Sequence, residues 1–390
     1  MTPQARVQAG IEILDAVIAA ARNKGAPADR IIADWFRPRR YAGSKDRRAV
    51  RELVYAAIRQ CGEVPVSGRA AMLRVAEGDP ALASLFDGSR HAPAPVVPGE
   101  PVASGGTAPG WLAEALAASG VDAAGQAALL QRAPVDIRIN SLKAALAVLP
   151  EPGEPTIAPH ARRFPPDTNV EQWPAYQAGA IEVQDAGSQL VCDAVAARPG
   201  EAVVDLCAGA GGKTLAMAAA MDNQGRLLAC DADRARLSRL MPRAERAGVT
   251  IAETRLLDGG REAAALADWA GRADAVLVDA PCSGTGTWRR NPESRWRLTP
   301  AEVARLAALQ QRLFDLAATL VRPGGRLVYV VCSLLDAEGA DQVASFLGRH
   351  PAWRAVAPAL GAGKRSGDGL RLTAQFDECD GFFVARLERS

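Results

Sequence analysis

The sequence predicts an α/β fold with a mixed, mostly parallel sheet. From residue 198 onward, short apolar runs alternate with helical patterns about every 20 to 30 residues, as in repeated strand–helix–strand units. One of the intervening turns is rich in glycine, and two later apolar runs end beside a cysteine. The expected strands lie near 202–206, 226–231, 252–257, 274–279, 326–332 and 381–387.

Residues 1–90 are expected to form an all-α domain, because their apolar residues recur at helical spacing. Within this region, residues 37–51 contain seven basic side chains and a single acid, Asp46. Such a run is either a solvated helix face or a surface that contacts phosphates.

Residues 91–109 are rich in proline and small side chains, a composition that is typical of an extended linker. We therefore place a domain boundary there. Residues 110–180 begin with a helical pattern that continues to Leu130, and an alternating strand pattern follows at 135–143. This combination predicts a small α/β subdomain, which leaves residues 181–390 for the large sheet domain.

Composition limits the class of protein. The net charge is only +2, so the chain is not a uniformly basic nucleic-acid coat protein. Its seven cysteines include no C-x-x-C pair, which argues against a zinc site and a secreted disulfide scaffold. The N-terminus has no apolar signal core, and no run has transmembrane length. We expect a soluble, cytoplasmic monomer without a metal.

The glycine-rich turn lies at residues 205–214, which read DLCAGAGGKT. Glycines allow a ligand to approach the backbone, and the helix that follows offers free N–H groups. Asp231 ends the next apolar run, where α/β folds bind a ribose diol. A triphosphate-binding loop is disfavoured, because Cys207 occupies the position of its first glycine. A plain tight turn remains open.

The two cysteines at strand ends are Cys282 and Cys332. In open α/β sheets the ligand crevice lies outside the carboxyl ends of the strands. We therefore expect both thiols, the glycine turn and Asp231 to converge on one crevice.

The motifs at these positions resemble those of the Sun family of RNA cytosine-5 methyltransferases, which use S-adenosylmethionine. The family's first motif matches residues 205–214, with Gly-Ala in place of the usual Ala-Pro. Its fourth motif matches DAPCSGTG at 279–286, followed by NPE at 291–293. Its sixth motif matches VCS at 331–333, with valine in place of the usual threonine. The resemblance covers about residues 110–390.

The resemblance implies a Rossmann-like methyltransferase domain over 181–390, in which the strand at 381–387 inserts antiparallel. It implies that the subdomain at 110–180 helps to hold RNA through an R-x-N strand that contains Arg138. Residues 46–59 are similar, more loosely, to the NusB-like helical domain of bacterial small-subunit ribosomal RNA members.

The chemistry that the resemblance implies depends on a thiolate. Addition of a thiolate to carbon 6 of cytosine lets carbon 5 accept a methyl group, and the thiolate is then expelled. The resemblance makes Cys332 the nucleophile and Cys282 the helper for product release, with Asp279 orienting the cytosine edge or the cofactor. The reverse assignment stays open, because DNA cytosine methyltransferases carry their nucleophile on a Pro-Cys like 281–282.

Further site residues are expected on the same basis. Asp258 should reach the adenine of the cofactor, and Lys213 the cofactor carboxylate or RNA. Cations and tryptophans at 288–297 suit a splayed RNA strand, although a structural role for the tryptophans is equally open. The expected cofactor-binding residues are Cys207, Ala208, Gly209, Ala210, Gly211, Gly212, Lys213, Asp231, Arg236, Asp258 and Asp279.

The sequence thus predicts methyl transfer from S-adenosylmethionine to carbon 5 of a cytosine in RNA, with 16S ribosomal RNA as the expected substrate. Transfer RNA is the alternative substrate. A catalytically idle RNA-binding assembly factor is the alternative from another class, but the presence of both Cys282 and Cys332 argues against it. A small-molecule methyltransferase would need neither two thiols nor an RNA-facing module.

Overall fold

The computed structural model describes residues 1–23 and 25–390. The chain divides into two compact units. The first, the helical unit, consists of Met1–Gln131 together with Thr287–Thr299. The second, the sheet unit, consists of Arg132–Gly286 and Pro300–Ser390. The units therefore divide after Gln131 rather than in the proline-rich stretch 91–109.

The N-terminal region is helical, as predicted. Its longest helices bury the expected apolar stripes, such as Val50, Val54, Ala57 and Ile58 on one face of a single helix. The helices of this region are α1 (Pro3–Arg22), α2 (Ala28–Phe36), α3 (Ser44–Gln60), α4 (Gly68–Ala76), α5 (Pro80–Ala83), α6 (Gly110–Ala118) and α7 (Ala123–Ala128). The helical pattern expected over 110–130 is thus two helices, separated at Gly120, whose φ is +80°.

The proline-rich stretch 91–109 forms no helix or strand, but it is fixed to the helices. Arg69 of α4 ion-pairs with Glu100 and donates to the carbonyl of Ala94 at 3.0 Å. The amide of Ala103 donates to the carbonyl of Ala70 at 3.1 Å. The stretch is therefore part of the helical unit.

The segment Thr287–Thr299 is built into the core of the helical unit. Trp288 and Arg295 are fully buried, and Trp296 is 5% exposed. Arg295 Nη2 donates to the carbonyls of Ile58 at 2.6 Å and Cys61 at 2.8 Å, at the end of α3. The expectation that Arg295 faces RNA is therefore wrong, and of the two roles left open for the tryptophans the structure shows the structural one. An arginine in the segment after the fourth motif can thus bind the carbonyls at a helix end, just as it can bind a phosphate.

The segment Thr287–Thr299 also supplies the N-terminal cap of α2. Residue Pro27 precedes α2 and has no side-chain acceptor for the first amides of the helix. The buried carboxylate of Glu293 accepts instead from the amide of Ala28 at 2.9 Å. A negative charge at this end also complements the helix dipole.

The sheet unit begins with a small antiparallel sheet in the order β2-β3-β1-β4. Its strands are β1 (Val135–Ile139), β2 (Glu154–Pro155), β3 (Ala161–Phe164) and β4 (Ile181–Val183). Arg138 is buried on β1, and its Nε donates to Gln184 at 2.8 Å. Its side chain is therefore neither exposed to solvent nor accessible to RNA. Asn140 is buried as well and donates to the carbonyls of Gly179 and Ala247, each at 2.8 Å.

The large sheet has nine strands in the order β11-β12-β13-β9-β8-β5-β6-β7, with β10 paired to β13. The pairs that join β5, β6, β7, β8 and β9 are parallel, and β13 inserts antiparallel beside β9, as expected. These strands are β5 (Ala202–Asp205), β6 (Arg226–Asp231), β7 (Ala252–Leu256), β8 (Ala273–Asp279), β9 (Val321–Val331), β10 (Trp353–Val356), β11 (Lys364–Ser366), β12 (Gly369–Leu372) and β13 (Phe382–Arg389).

Helices connect the strands of the sheet unit. They are α8 (Pro174–Gln177), α9 (Ala186–Asp193), α10 (Gly212–Ala220), α11 (Arg234–Leu237), α12 (Leu240–Ala247), α13 (Glu262–Ala265), α14 (Pro300–Leu320) and α15 (Ala340–Arg349). The central strands β5, β8 and β9 are buried along most of their length and are mainly apolar. Polar chemistry is therefore concentrated in the loops just beyond the strand ends.

The role of Arg295 can be tested by Arg295→Leu. The substitution leaves the carbonyls of Ile58 and Cys61 without their donor, so we expect the free energy of unfolding to fall by about 2–4 kcal/mol. Arg48→Leu, at an exposed position of α3, should change it by less than about 0.5 kcal/mol. Urea unfolding monitored by circular dichroism measures both values, and equal effects would contradict the structural role of Arg295.

Candidate active site

The predicted site residues lie along one edge of the large sheet. Strand β5 lies between β6 and β8, so the order of the parallel strands reverses there. At such a reversal the connecting helices leave on opposite faces and open a crevice beyond the strand ends. Asp205, Asp231 and Asp279 are the last residues of β5, β6 and β8, and Cys332 directly follows β9.

The glycine turn joins β5 to α10. Gly209 and Gly211 have φ values of +56° and +90°, which an L side chain rarely adopts. The amide of Ala208 donates to the carbonyl of Cys230 at 2.8 Å, and that of Gly209 to Oδ2 of Asp231 at 2.7 Å. The turn is thereby fixed to the end of β6.

Asp231 is held firmly at this edge. Its Oδ1 accepts from the amide of Asp233 at 2.7 Å, while Oδ2 accepts from Gly209. Arg236, on α11, reaches back over the turn, since a methyl group added to Gly209 would lie 2.9 Å from its Nη2. Asp258 lies exposed just beyond β7. Asp231 ends β6, Arg236 lies on the helix after β6, and Asp258 follows the neighbouring strand β7.

The turn has room and donors for an amino-acid group. Helix α10 begins without a side-chain cap, and a Cβ added to Gly212 would meet no atom within 4 Å. Uncapped amides that open onto free space fit a carboxylate. The carboxylate of Asp231 fits a ribose diol. The residues therefore fit S-adenosylmethionine, which carries both groups.

Lys213 and Asp279 form an ion pair between the turn and the end of β8, with Nζ 2.6 Å from Oδ2. Burial acts to lower the pKa of the Lys213 ammonium, but the charge and hydrogen bond of Asp279 together with Cys192 and Cys332 outweigh burial, so the pKa is raised. Lys213 is therefore a fixed cation in the crevice. Asp279 is 28% exposed and keeps part of its carboxylate accessible to a ligand.

The two thiols meet at the adjacent strand ends. Sγ of Cys282 lies 3.3 Å from Sγ of Cys332. The hydrogen bond with Cys332 and burial raise the pKa of the Cys282 thiol well above its ordinary value. Cys282 is therefore held as a thiol that can share its proton with Cys332. None of the seven cysteines, all of which lie in the described residues, forms a disulfide, and Cys61, Cys192, Cys230 and Cys379 are buried.

Sequence reasoning missed a buried polar network behind the thiols. It includes Ser283 and Ser333, each of which directly follows one of the cysteines, and the carboxylate of Glu338. The repeated Cys-Ser pair was a signal for the serines. No local pattern identified Glu338, because its burial depends on packing between distant segments.

A second buried acid lies under the glycine turn. Asp205 is fully buried; its Oδ2 accepts from the hydroxyl of Thr214 at 2.7 Å, and its Oδ1 has no hydrogen-bond partner among the residues that the structure describes. Burial raises the pKa of Asp205 to about 7. This carboxyl group therefore titrates near neutral pH.

No group of three or more His, Cys, Asp or Glu side chains in residues 1–23 and 25–390 could hold a metal ion. Over the same part of the chain, no helix combines the length and apolar character that crossing a membrane requires.

The sheet order and the glycine turn define the class of S-adenosylmethionine-dependent methyltransferases, whose cofactor is the one expected from the sequence. A solved structure, a methyltransferase homologue from Pyrococcus horikoshii, has the same fold, with a TM-score of 0.61 and 23% identity over 72% of this chain and 100% of that one.

The family follows from the sequence comparisons. The model of the 16S rRNA methyltransferase RsmB/F family matches residues 193–388, and the chain belongs to that family. The resemblance to Sun-family enzymes is thereby confirmed.

Two curated relatives show the extent of the match. The chain is 37% identical over 267 residues to ribosomal RNA small subunit methyltransferase B of Erwinia tasmaniensis, covering 66% of this chain and 60% of that protein. It is 35% identical over 274 residues to a probable ribosomal RNA small subunit methyltransferase B of Synechocystis, covering 67% and 61%. The match thus spans about three fifths of these relatives' length.

The titration of Asp205 predicts a pH-dependent stability. Because its folded pKa is raised above the ordinary 3.8, the stabilisation is complete at low pH and is lost as pH rises through about 7. Asp205→Asn carries no titrating proton. Between about pH 5 and pH 8, the free energy of unfolding of the native protein should fall by about 2–3 kcal/mol relative to the variant.

Asp274→Asn is the matched control, at the start of β8. Burial raises the pKa of Asp274, but hydrogen bonds from the Ala202 amide and Arg322 outweigh burial and lower it. Asp274 is thus ionised throughout this pH range. Its substitution should therefore change the free energy of unfolding by the same amount at about pH 5 and at about pH 8. Urea unfolding without cofactor measures the slopes, and identical pH dependence in Asp205→Asn and native protein would contradict the assignment.

Proposed function

We propose that the chain transfers a methyl group from S-adenosylmethionine to carbon 5 of a cytosine in RNA, through a covalent bond between Cys332 and the base. The observation that carries this proposal is the separation of 3.3 Å between the thiols of Cys282 and Cys332, beside a glycine turn that fits the cofactor. The names of the curated relatives support small-subunit ribosomal RNA as the substrate.

The order of events follows from the chemistry of cytosine. The Cys332 thiolate adds to carbon 6, which makes carbon 5 nucleophilic. When bound, S-adenosylmethionine supplies an electrophilic methyl group. After transfer, a base takes the proton from carbon 5, the double bond between carbons 5 and 6 re-forms, and the bond from carbon 6 to sulfur breaks, which leaves Cys332 as the thiolate. Asp279 and Lys213 are proposed to orient the base edge and the cofactor's amino-acid end, since both lie in the crevice.

The surroundings of the two thiols support the proposed roles, in which Cys332 is the nucleophile and Cys282 assists product release. Cys282 keeps its proton because its pKa is raised by the bond to Cys332 and by burial. A thiol that stays protonated is a poor nucleophile, but it can donate a hydrogen bond to a neighbouring thiolate. Cys282 is therefore the group that assists release, by stabilising the departing Cys332 thiolate through the hydrogen bond between the two sulfurs.

The same arrangement argues against the alternatives. A catalytically idle RNA-binding protein would not require two thiols in contact at the edge of the cofactor crevice. A methyltransferase for small hydroxyl substrates needs a base and a donor, but no thiol pair. The thiols thus favour chemistry on an electron-poor ring such as that of cytosine.

The two thiols can be separated by single substitutions. Cys332→Ala should form no covalent bond to RNA and transfer no methyl group, because the attacking sulfur is gone. Cys282→Ala should still attack and methylate but release product slowly, so that a protein–RNA adduct survives denaturing electrophoresis. The double substitution should lose that adduct. Radiolabelled methyl transfer to 16S ribosomal RNA transcripts provides the parallel measurement.

The reversed assignment predicts the opposite pattern, with an adduct in Cys332→Ala and none in Cys282→Ala. Methyl transfer by both single variants would refute the covalent mechanism. It would also remove the main ground for a cytosine-5 reaction.

The helical unit supplies a proposed contact surface for RNA phosphates. Part of the basic run is already used internally, since Arg37 pairs with Asp34 and Arg51 with Asp29, each at 2.7 Å. Three other exposed cations of the run have no hydrogen bond or ion pair with any described residue. They are Arg40, Lys45 and Arg48.

Substitution of all three unpaired cations by glutamine should weaken RNA binding and lower the slope of log affinity against log salt by about 2. The double variant Arg37→Gln, Arg51→Gln is the control and should change the slope by less than half as much, because its cations are ion-paired. Fluorescence anisotropy with labelled RNA at several salt concentrations measures both. An unaltered slope in the triple variant would make the run a solvated face.

A further inference from the structure

We propose that Glu338 is a positioning residue that holds the loop carrying Cys282 against the loop carrying Cys332. This inference rests on the proposed function of the thiols. We refer to residues 280–286 as the first thiol loop and to residues 332–338 as the second thiol loop.

Glu338 binds the residue that directly follows Cys282 at two points. Its Oε1 accepts from the Ser283 amide at 2.9 Å, and its Oε2 accepts from the Ser283 hydroxyl. Because a backbone and a side-chain donor are both engaged, the position and the orientation of Ser283 are fixed. The adjacent Cys282 then has little freedom.

The residue that precedes Cys282 is held through the same carboxylate. Gln310 of α14 donates its amide to Oε1 of Glu338 at 3.0 Å and to the carbonyl of Pro281 at 2.9 Å. Cys282 is therefore fixed on both sides by contacts that lead back to Glu338.

The carboxylate itself lies on the second thiol loop. The backbone carbonyl of Glu338 accepts from the Tyr329 hydroxyl of β9 at 2.7 Å, which fixes this loop to the sheet. Ser333 Oγ lies 3.1 Å from Ser283 Oγ and 3.2 Å from Thr285 Oγ1, so the loops are also bonded near the thiols. These bonds set the register that brings the two sulfurs to 3.3 Å.

A carboxylate is a costly choice for this position. Glu338 is fully buried, and its side chain is bound by neutral donors. Burial of a charge costs several kcal/mol unless many hydrogen bonds compensate. Glu338 lies behind the two thiols and is bonded to the residues on both sides of Cys282. Control of the thiol geometry explains why a carboxylate occupies this position despite the cost of burying it.

The test compares four variants of the full chain. Glu338→Ala removes every acceptor, and Glu338→Leu does so while keeping most of the volume. Glu338→Gln keeps a carbonyl acceptor for Ser283 and Gln310 and is the conservative rescue. Asp341→Asn, at an exposed position in the first turn of α15, is the matched control.

The first readout is the affinity for phenylarsine oxide, measured by calorimetry without RNA. In this reaction two S–H bonds break, two As–S bonds form, and the oxide oxygen leaves as water with both thiol protons. This reaction requires both thiols at close range. Loss of arsenical binding in Cys282→Ala therefore shows that the arsenical binds at the thiol pair. Glu338→Ala and Glu338→Leu should bind about tenfold more weakly, because the second bond is no longer preorganised. Glu338→Gln and Asp341→Asn should bind within about threefold of the native protein.

The second readout is turnover on RNA. Glu338→Leu should lower kcat by about tenfold with an unchanged KM for RNA, and it should accumulate the covalent adduct as Cys282→Ala does. Adding Glu338→Leu to Cys282→Ala should have little further effect, because both act on the same release step.

Native-like arsenical affinity in Glu338→Leu would overturn the proposal. So would the failure of both Glu338→Ala and Glu338→Leu to fold, because Glu338 would then serve core stability. If Glu338→Leu weakens arsenical binding but Cys282→Ala forms no RNA adduct, the positioning role stands and the proposed thiol chemistry is wrong.

Discussion

The structure depends on holding two loops side by side at the end of a parallel sheet. Strands β8 and β9 are neighbours and parallel, so the loops that follow them emerge at the same edge. Parallel pairing brings the loops close, but it does not set the separation of two side chains within them. That separation is set by the buried polar network, in which one carboxylate and several hydroxyls connect the residues on either side of the thiols.

The same edge separates two chemical environments. On the side of β5 and β6, open glycine amides and the carboxylate of Asp231 suit a polar cofactor. On the side of β9, the thiols lie beside apolar strands and a buried polar network, and the hydrogen bond with Cys332 together with burial raises the pKa of Cys282. Lys213 and Asp279 lie between the two and carry compensating charges. One crevice thus combines an open polar side that fits the cofactor with a side where two thiols are in contact.

The segment after the first thiol loop has a different purpose from the one its composition suggests. Arginines and tryptophans beside a catalytic motif are typical of nucleic-acid contacts, yet Arg295 and Trp296 are buried in the helical unit. Arginine serves there because its fork satisfies several carbonyls at the end of a helix at once. Glu293 likewise supplies the cap that Pro27 cannot.

The sequence by itself determined the α/β class, strands β5 to β9 and β13 of the large sheet, and the family, because periodicity and local motifs are properties of consecutive residues. The antiparallel direction of β13 followed from the family resemblance, and strands β10, β11 and β12 were not predicted. The sequence also predicted that Cys282 and Cys332 would lie near one edge, since the carboxyl ends of parallel strands meet there. Only the tertiary structure decided which arginines are buried, which acid caps α2 and that Glu338 lies behind the thiols. Those outcomes depend on contacts between residues far apart in the chain, and an identical local pattern is compatible with either a solvated or a buried side chain.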